Sequence, residues 1–317
     1  MKRLSVEIEF SKISSHNDLV ERFSDVFNLG VGDVVDFKID LSGKGILYPD
    51  FLTLVCSVVV YLRESGVVVN GKLLNFQRKS DKVLYASRVN FFRILGFEFE
   101  EQFKRQKSEG RFLEINKFTK FDALAIHKKI IKILIASGIK DDILSILEFC
   151  LWELIDNTLN HSVEGGALGD GIGFVSVQYY PQNKEIRLII SDSGCGIHTA
   201  LTKHPDSKYK HFSESDSMFN CIKKGITNGT GMGFGLWATA KFVELNKGHL
   251  LIHSGVKQLN ANLNVEVSDA SNWQGTYTFL KINTDVYVDQ FLIFEKDNTG
   301  FYNELKDELF ENLIDLW

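Results

Sequence analysis

Glycine occupies every second position over Gly229-Thr-Gly-Met-Gly-Phe-Gly235, and a helix expected over Phe234–Leu245 opens on the last of them. A backbone without side chains turns tightly and leaves its N–H groups bare, and a helix N-terminus adds partial positive charge. Such a stretch attracts anions, phosphate above all. It has neither the GxGxxG spacing of a dinucleotide fold nor the GK[ST] of a P-loop, so both of those readings fail.

Two earlier segments carry compatible chemistry. On the helix that includes Leu151-Trp-Glu-Leu-Ile-Asp-Asn-Thr-Leu-Asn-His-Ser162, the spacing puts Glu153, Asn157 and His161 (or Asn160) on one face. Leu151, Leu154, Ile155 and Leu159 supply the buried side. A polar stripe of this kind either faces solvent or meets something polar, and Mg²⁺ with phosphates would satisfy it. Asn157 is then a hard oxygen ligand, with Glu153 near the metal-bound water. The other segment is Asp192-Ser-Gly-Cys-Gly-Ile197, directly after the apolar strand Ile186–Ile190. It is either a plain turn or a place where Gly194 and Gly196 let a planar ligand approach the backbone, with the Asp192 carboxylate accepting from an exocyclic amine such as adenine N6.

The remainder of the chain divides around these segments. Residues 33–39 alternate like a strand, and Pro49 begins a helix that reaches about Ser65. A short strand at Val67–Asn70 and a helix from Asp81 to Leu95 complete a β-α-β-α order, a small α/β domain over residues 1–115. Ser42, in the loop before the first helix, reads as a turn residue. The charged stretch from Gln102 to Lys120 is the candidate boundary. Helices over 122–136 and 141–161 follow, then a glycine-rich loop and a hairpin of Phe174–Tyr180 with Glu185–Ser191. Strands are expected at His249–Ser254, Leu263–Val267 and Thr276–Ile282, and an acidic amphipathic helix at Tyr302–Trp317.

Composition sets the class. At 317 residues with 44% hydrophobic and 24% charged residues, the chain has enough apolar material for two domains. The net charge of −5 and the interrupted Lys/Arg clusters argue against a nucleic-acid groove. Four scattered cysteines without a CxxC pair read as reduced thiols in a cytoplasmic protein. The N-terminus has no signal-peptide pattern, and the apolar run Phe51–Leu62 is too short for a bilayer. His198, His204 and His211 lack zinc-site spacing.

Taken together and in order, Glu-x-x-x-Asn, Asp-x-Gly-x-Gly and Gly-x-Gly-Phe-Gly-Leu resemble the Bergerat (GHKL) ATP-binding fold of sensor histidine kinases, anti-sigma-factor kinases, gyrase-type topoisomerases and mismatch-repair ATPases. The resemblance covers about residues 121–285 and includes Gly275-Thr-Tyr-Thr-Phe279 as the closing Gly-Thr strand, with Thr276 at the site. It implies an α+β fold, a Bergerat α/β sandwich with helices on one face of a mixed sheet. It also implies ATP and Mg²⁺ as ligands, Asn157 on the metal, Asp192 on adenine N6, and Gly194 and Gly196 beside the base. Gly229, Gly231, Gly233 and Gly235, with Phe234 and Leu236, would border the phosphates, and residues 198–230 would form a mobile lid. Lys223 and Lys224 sit at the lid's end, where either reaches a phosphate. Tyr85–Phe97 resembles part of the STAS-like domains attached to bacterial ATP-binding proteins, so a STAS-like domain, the ATP-binding domain and an extension over 286–317 are the expected units.

Glu153 is the candidate general base in every version of this chemistry. Sensor kinases of the family place a His-Glu or His-Asp pair on the preceding helix. This chain has His127-Lys128 there, so histidine autophosphorylation is not expected. Gyrase-type closure needs a lysine from a following domain, and the stretch after Ile282 is too short for that domain. Lys296 or Lys306 could in principle substitute, but neither sits in a recognisable loop, so gyrase-type closure is not expected. Two readings stand: a slow ATPase or serine/threonine kinase in bacterial signalling or stress response, or a nucleotide-gated interaction switch without turnover. Both call for a protein partner or a homodimer.

Overall fold

The structure is a computed structural model, and it describes residues 1–101, 103–163, 171–227 and 233–294. The helix expected at 302–317 lies outside these residues. Strand β1 (Arg3–Glu9) leads through the short helix α1 (His16–Glu21) to β2 (Val34–Asp40), then to α2 (Pro49–Glu64) and β3 (Val68–Leu74). The three strands form a parallel sheet in the order β1-β2-β3. In β2 the inward residues Val35, Phe37 and Ile39 are buried, as the alternating pattern requires. The loop after β2 begins with an Asx turn, the Ser42 amide donating to Asp40 Oδ1 at 2.7 Å, so Ser42 is the turn residue its context suggests.

Helix α2 is apolar on every side: Leu52, Leu54, Val55, Cys56 and Val58 are all fully buried. Such a helix must be covered all round. It packs on β3 and also on three strands of a second sheet. The helix expected over 81–95 is two helices, α3 (Asp81–Arg88) and α4 (Phe91–Leu95), because Asn90 takes a left-handed φ of 70°. Asn tolerates that conformation better than most residues. The break frees the Val89 carbonyl, which accepts from the amide of Ile115 at 3.1 Å.

Ile115 belongs to β4 (Phe112–Phe118), a strand inside the charged stretch, which pairs with β5 across a bulge between Leu113 and Asn116. Then come α5 (Ala123–Ala136), α6 (Asp141–Val163), β5 (Gly173–Tyr180), β6 (Glu185–Asp192), α7 (Gly196–Thr202), α8 (Glu214–Asn220), α9 (Gly235–Asn246), β7 (His249–Ala261) and β8 (Val265–Asn283). The second sheet runs β4-β5-β6-β8-β7 and is antiparallel at every pairing. It is therefore not the mixed sheet the resemblance implies; the hairpins β5–β6 and β7–β8 impose antiparallel neighbours.

Both faces of this sheet are covered. Val175, Val177, Leu188, Ile190, Ile252 and Leu280 face α5, α6 and α9 in one core. Phe174, Ile189, Leu251, Phe279, Tyr277 and Trp273 face the other way and join the core of the N-terminal elements. That double cover explains why β6 reads as nearly continuous apolar sequence. Its exception, Arg187, points toward the N-terminal layer, where its Nη2 donates to Asp50 Oδ2 at 2.7 Å. His16 Nε2 meets the same oxygen at 2.8 Å, and the Arg187 guanidinium lies 4.0 Å from the Tyr48 ring centroid. Elsewhere in the layer boundary the hydroxyls of Thr53 and Ser176 are 2.8 Å apart, and the Tyr85 hydroxyl donates to Gln178 Oε1 at 2.5 Å. Among the described residues no helix is long and apolar enough to cross a membrane.

Candidate functional site

Helix α6 buries Leu151, Leu154, Ile155 and Leu159 and leaves Glu153, Asn157 and His161 half-buried along its other side. Asn160, the alternative to His161, is exposed and donates to Asp156 Oδ2 at 2.7 Å, one turn back on the outer face. The last turns of α6 touch the Asp192 loop directly: the Cys195 amide donates to the His161 carbonyl at 3.2 Å. His127 on α5 is buried, its Nε2 3.0 Å from the Glu148 carbonyl, and burial lowers its pKa. It packs edge-on against Trp152, as a structural histidine does.

Asp192 ends β6 on the face that carries Leu188 and Ile190, toward α6. It is 3% exposed. Its Oδ1 accepts from the Gly194 amide at 2.8 Å and from the Thr276 amide at 3.2 Å. Among the described residues Oδ2 takes no hydrogen bond. Burial pushes the carboxyl up to about 7, and the two amides pull the other way without prevailing. The turn exists because Gly275 adopts a φ of +91°; a Cβ there would lie 2.5 Å from Asp192 Oδ1. Gly196 opens α7, where the Ile197 amide donates to Ser254 Oγ at 2.9 Å, and Ser254 in turn donates to the Gly275 carbonyl at 2.9 Å.

Helix α9 begins directly against α6. A Cβ on Gly235 would fall 2.6 Å from the Cβ of Glu153, and its nearest atom would be the Glu153 carboxylate. Only glycine lets the helix N-terminus come this near the proposed base. Phe234 caps the helix and meets Trp237 edge to face, while Leu236 packs on the adjacent core. The Lys224 ammonium lies 5.0 Å from the Trp237 ring centroid, at the start of α9, and Lys223 turns to Phe219 at 4.2 Å. The Gly225 amide donates to the Gly233 carbonyl at 2.9 Å, so the end of the lid is tied to the glycine turn. Gly229 and Gly231 lie outside the described residues.

The polar stretch expected to be a lid holds two short helices among its described residues, α7 and α8. The second has a sequence signal, the capping box Ser213-x-x-Asp216, with reciprocal side-chain and backbone bonds. A cleft on the α7–α8 side, lined by His198, Glu214, Asn272 and Gln274, includes none of Asn157, Asp192 and Thr276.

The arrangement therefore consists of a helix N-terminus over a carboxylate, a carboxamide one turn along, and a buried carboxyl with one oxygen to spare. It suits a nucleotide. Residues 144–282 match the family model described as histidine kinase-, DNA gyrase B-, and HSP90-like ATPase. This stretch, less than half of the chain, is a GHKL-type ATP-binding domain of the ATPase/kinase class. A comparison of the chain with curated proteins gave no match.

Proposed function

We propose that residues 144–282 bind Mg²⁺-ATP and that the chain acts as a slow ATPase or an anti-sigma-type serine/threonine kinase in bacterial signalling or stress response. The observation that carries the reading is Asp192, whose buried Oδ1 is held twice by main chain while Oδ2 is left for one donor. An exocyclic amine such as adenine N6 fits that demand, because a buried carboxylate lacking a donor is costly. Bound Mg²⁺-ATP supplies an activated terminal phosphoryl group. Asn157 would ligate the metal, with His161 further along the stripe. Gly229, Gly231, Gly233, Phe234, Gly235 and Leu236 would present main-chain N–H groups and the helix N-terminus to the phosphates, and Lys223 or Lys224 would add positive charge. Gly194, Gly196 and Thr276 would border the base. Glu153 would take the proton from a water or an acceptor hydroxyl.

The parallel β-α-β order of the N-terminal elements supports the STAS-like reading of residues 1–115, beside an ATP-binding unit over 121–285 and an extension over 286–317. A protein partner or a second copy of the chain receives the output. The alternative is a nucleotide-gated interaction switch, favoured by the core that the nucleotide-binding sheet shares with the N-terminal layer. The test is incubation with Mg²⁺ and γ-³²P-ATP, following free phosphate and label on protein, with Asn157→Ala as control. Retained label that the control loses identifies a kinase; free phosphate alone identifies an ATPase. ATP bound without either product selects the switch, and no ATP binding at all rejects the reading.

A further inference from the structure

The β6–β8 ladder stops at the pair Ser191–Tyr277, one residue short of Asp192. The kink at Gly275 turns the Thr276 amide onto the Asp192 carboxylate, where a regular ladder would have used it on the main chain. The Asp192 carbonyl, in a buried place at the last register pair of β5 with β6, accepts from a side chain of β8: the Trp273 indole Nε1 donates to it at 3.1 Å.

Trp273 is fully buried, and aromatic rings fix its plane. Tyr277 meets it at 5.2 Å between centroids and 89°. The other two rings come from the far end of the sequence: Phe27 at 5.7 Å and 75°, and Phe23 at 6.2 Å and 62°. Edge-to-face contacts of this kind favour one orientation of the indole. The same strand is anchored to that layer two residues earlier, the Ser271 amide donating to Asn17 Oδ1 at 2.9 Å. The next residue after Trp273 completes the clamp, with Gln274 Nε2 donating to the Gly194 carbonyl at 2.6 Å. Both carbonyls flanking the Asp-x-Gly turn are thus held by consecutive side chains of β8.

We infer that Trp273 is a positioning residue for the base-recognising carboxylate, and that the N-terminal layer, through Phe23 and Phe27, sets the selectivity of the site for adenine. The inference rests on the reading of Asp192 as the adenine partner. Trp273 touches no substrate; it fixes the main chain from which Asp192 projects. Loss of the indole N–H loosens that turn and weakens the one contact that distinguishes an amino group from a keto group at purine C6. Contacts to ribose, phosphates and metal are left in place.

The experiment measures equilibrium binding of ATP and ITP, with Mg²⁺, to the full chain, to Trp273→Phe and to Phe27→Ala. ITP has an oxygen where ATP has the amine. The wild-type protein is expected to prefer ATP. Trp273→Phe is expected to lose about five- to ten-fold in ATP affinity, the worth of one buried hydrogen bond, with ITP changed less than about two-fold. Phe27→Ala acts in the same direction from a half-buried position, so it decides the matter if Trp273→Phe does not fold. Equal losses for both nucleotides would mean that Trp273 only supports the fold, and no change in either would mean that the turn holds itself; both overturn the inference while leaving Asp192 as the adenine partner. A wild-type protein that binds ATP and ITP alike overturns the adenine reading itself, and the inference with it.

Discussion

Arg187 and Asp50, 137 residues apart in sequence, form a two-point contact inside the protein: Nη2 to Oδ2 at 2.7 Å and Nε to Oδ1 at 3.3 Å. Burial opposes ionisation of Asp50, but the hydrogen bonds and charges of His16 and Arg187 outweigh it and hold the carboxyl below its ordinary range. Removing one partner of such a pair strands the other charge, which costs about 3–5 kcal/mol. Asp50→Ala should therefore lower the urea midpoint markedly, with little change in slope. A midpoint within error of wild type would show the pair to be energetically neutral. Because the Asp50 pKa is depressed, its contribution is present above the unfolded value of 3.8 and is lost as pH falls through the lower folded value.

Asp192 carries the opposite sign. Its carboxyl, pushed up to about 7 from 3.8, binds a proton in the folded protein where the unfolded chain has released it. Stability from this group declines as pH rises from about 4 to about 7 and is gone above that, on the order of 4 kcal/mol at most. In the proposed contact adenine N6 would donate to the ionised form, so ATP affinity should fall as pH drops below about 7. Asp192→Asn should flatten both profiles and weaken ATP binding. Calorimetric titrations at pH 6 and pH 8 read the effect directly, and an ATP affinity equal at both would disconnect the carboxyl from the base.

Gly235→Ala tests the approach of α9 to α6. Helix propensity alone favours alanine by about 1 kcal/mol. The new methyl collides with Glu153, and overpacking costs about 1–3 kcal/mol, so crowding should win. The expected result is a lower melting temperature together with reduced turnover, since the helix N-terminus and the carboxylate are forced apart. Unchanged turnover with lower stability would place Glu153 outside the chemistry.

Glu153→Gln keeps the shape of the side chain and removes its basicity. Turnover should fall about 10²–10⁴-fold, with ATP affinity within a few-fold of wild type. Phosphate release and equilibrium binding, measured on one preparation, separate the two quantities. Retained turnover would require another base.

Much of the nucleotide-binding half was legible because its signals are local. The α6 stripe, the apolar strand running into Asp192 and the glycine run before α9 each follow from periodicity and backbone chemistry. What was not legible depends on tertiary context. The break at Asn90 requires a left-handed residue where the helical pattern continues unbroken, and β4 lies in a stretch whose charge resembles a linker. Trp273 gives no sequence signal at all, because its task arises only from the kink two residues later. Arg187 did give one: a lone arginine within Ile186-Arg-Leu-Ile-Ile190 calls for a buried counterpart, and Asp50, in the first turn of α2, supplies it.

The sheet that carries Asp192 has no bare side. A fragment beginning near residue 110 would keep every proposed nucleotide contact, yet it would present Phe174, Ile189, Leu251 and Phe279 to water as one continuous apolar face. Exposed patches of that kind drive self-association. The reverse cut is no kinder, since α2 would lose the strands that cover its outer side. Exchanging either half for another would mean redesigning the seam that residues of both halves build, Phe174, Ile189 and Phe279 on one side and Leu52, Val55 and Val59 on the other.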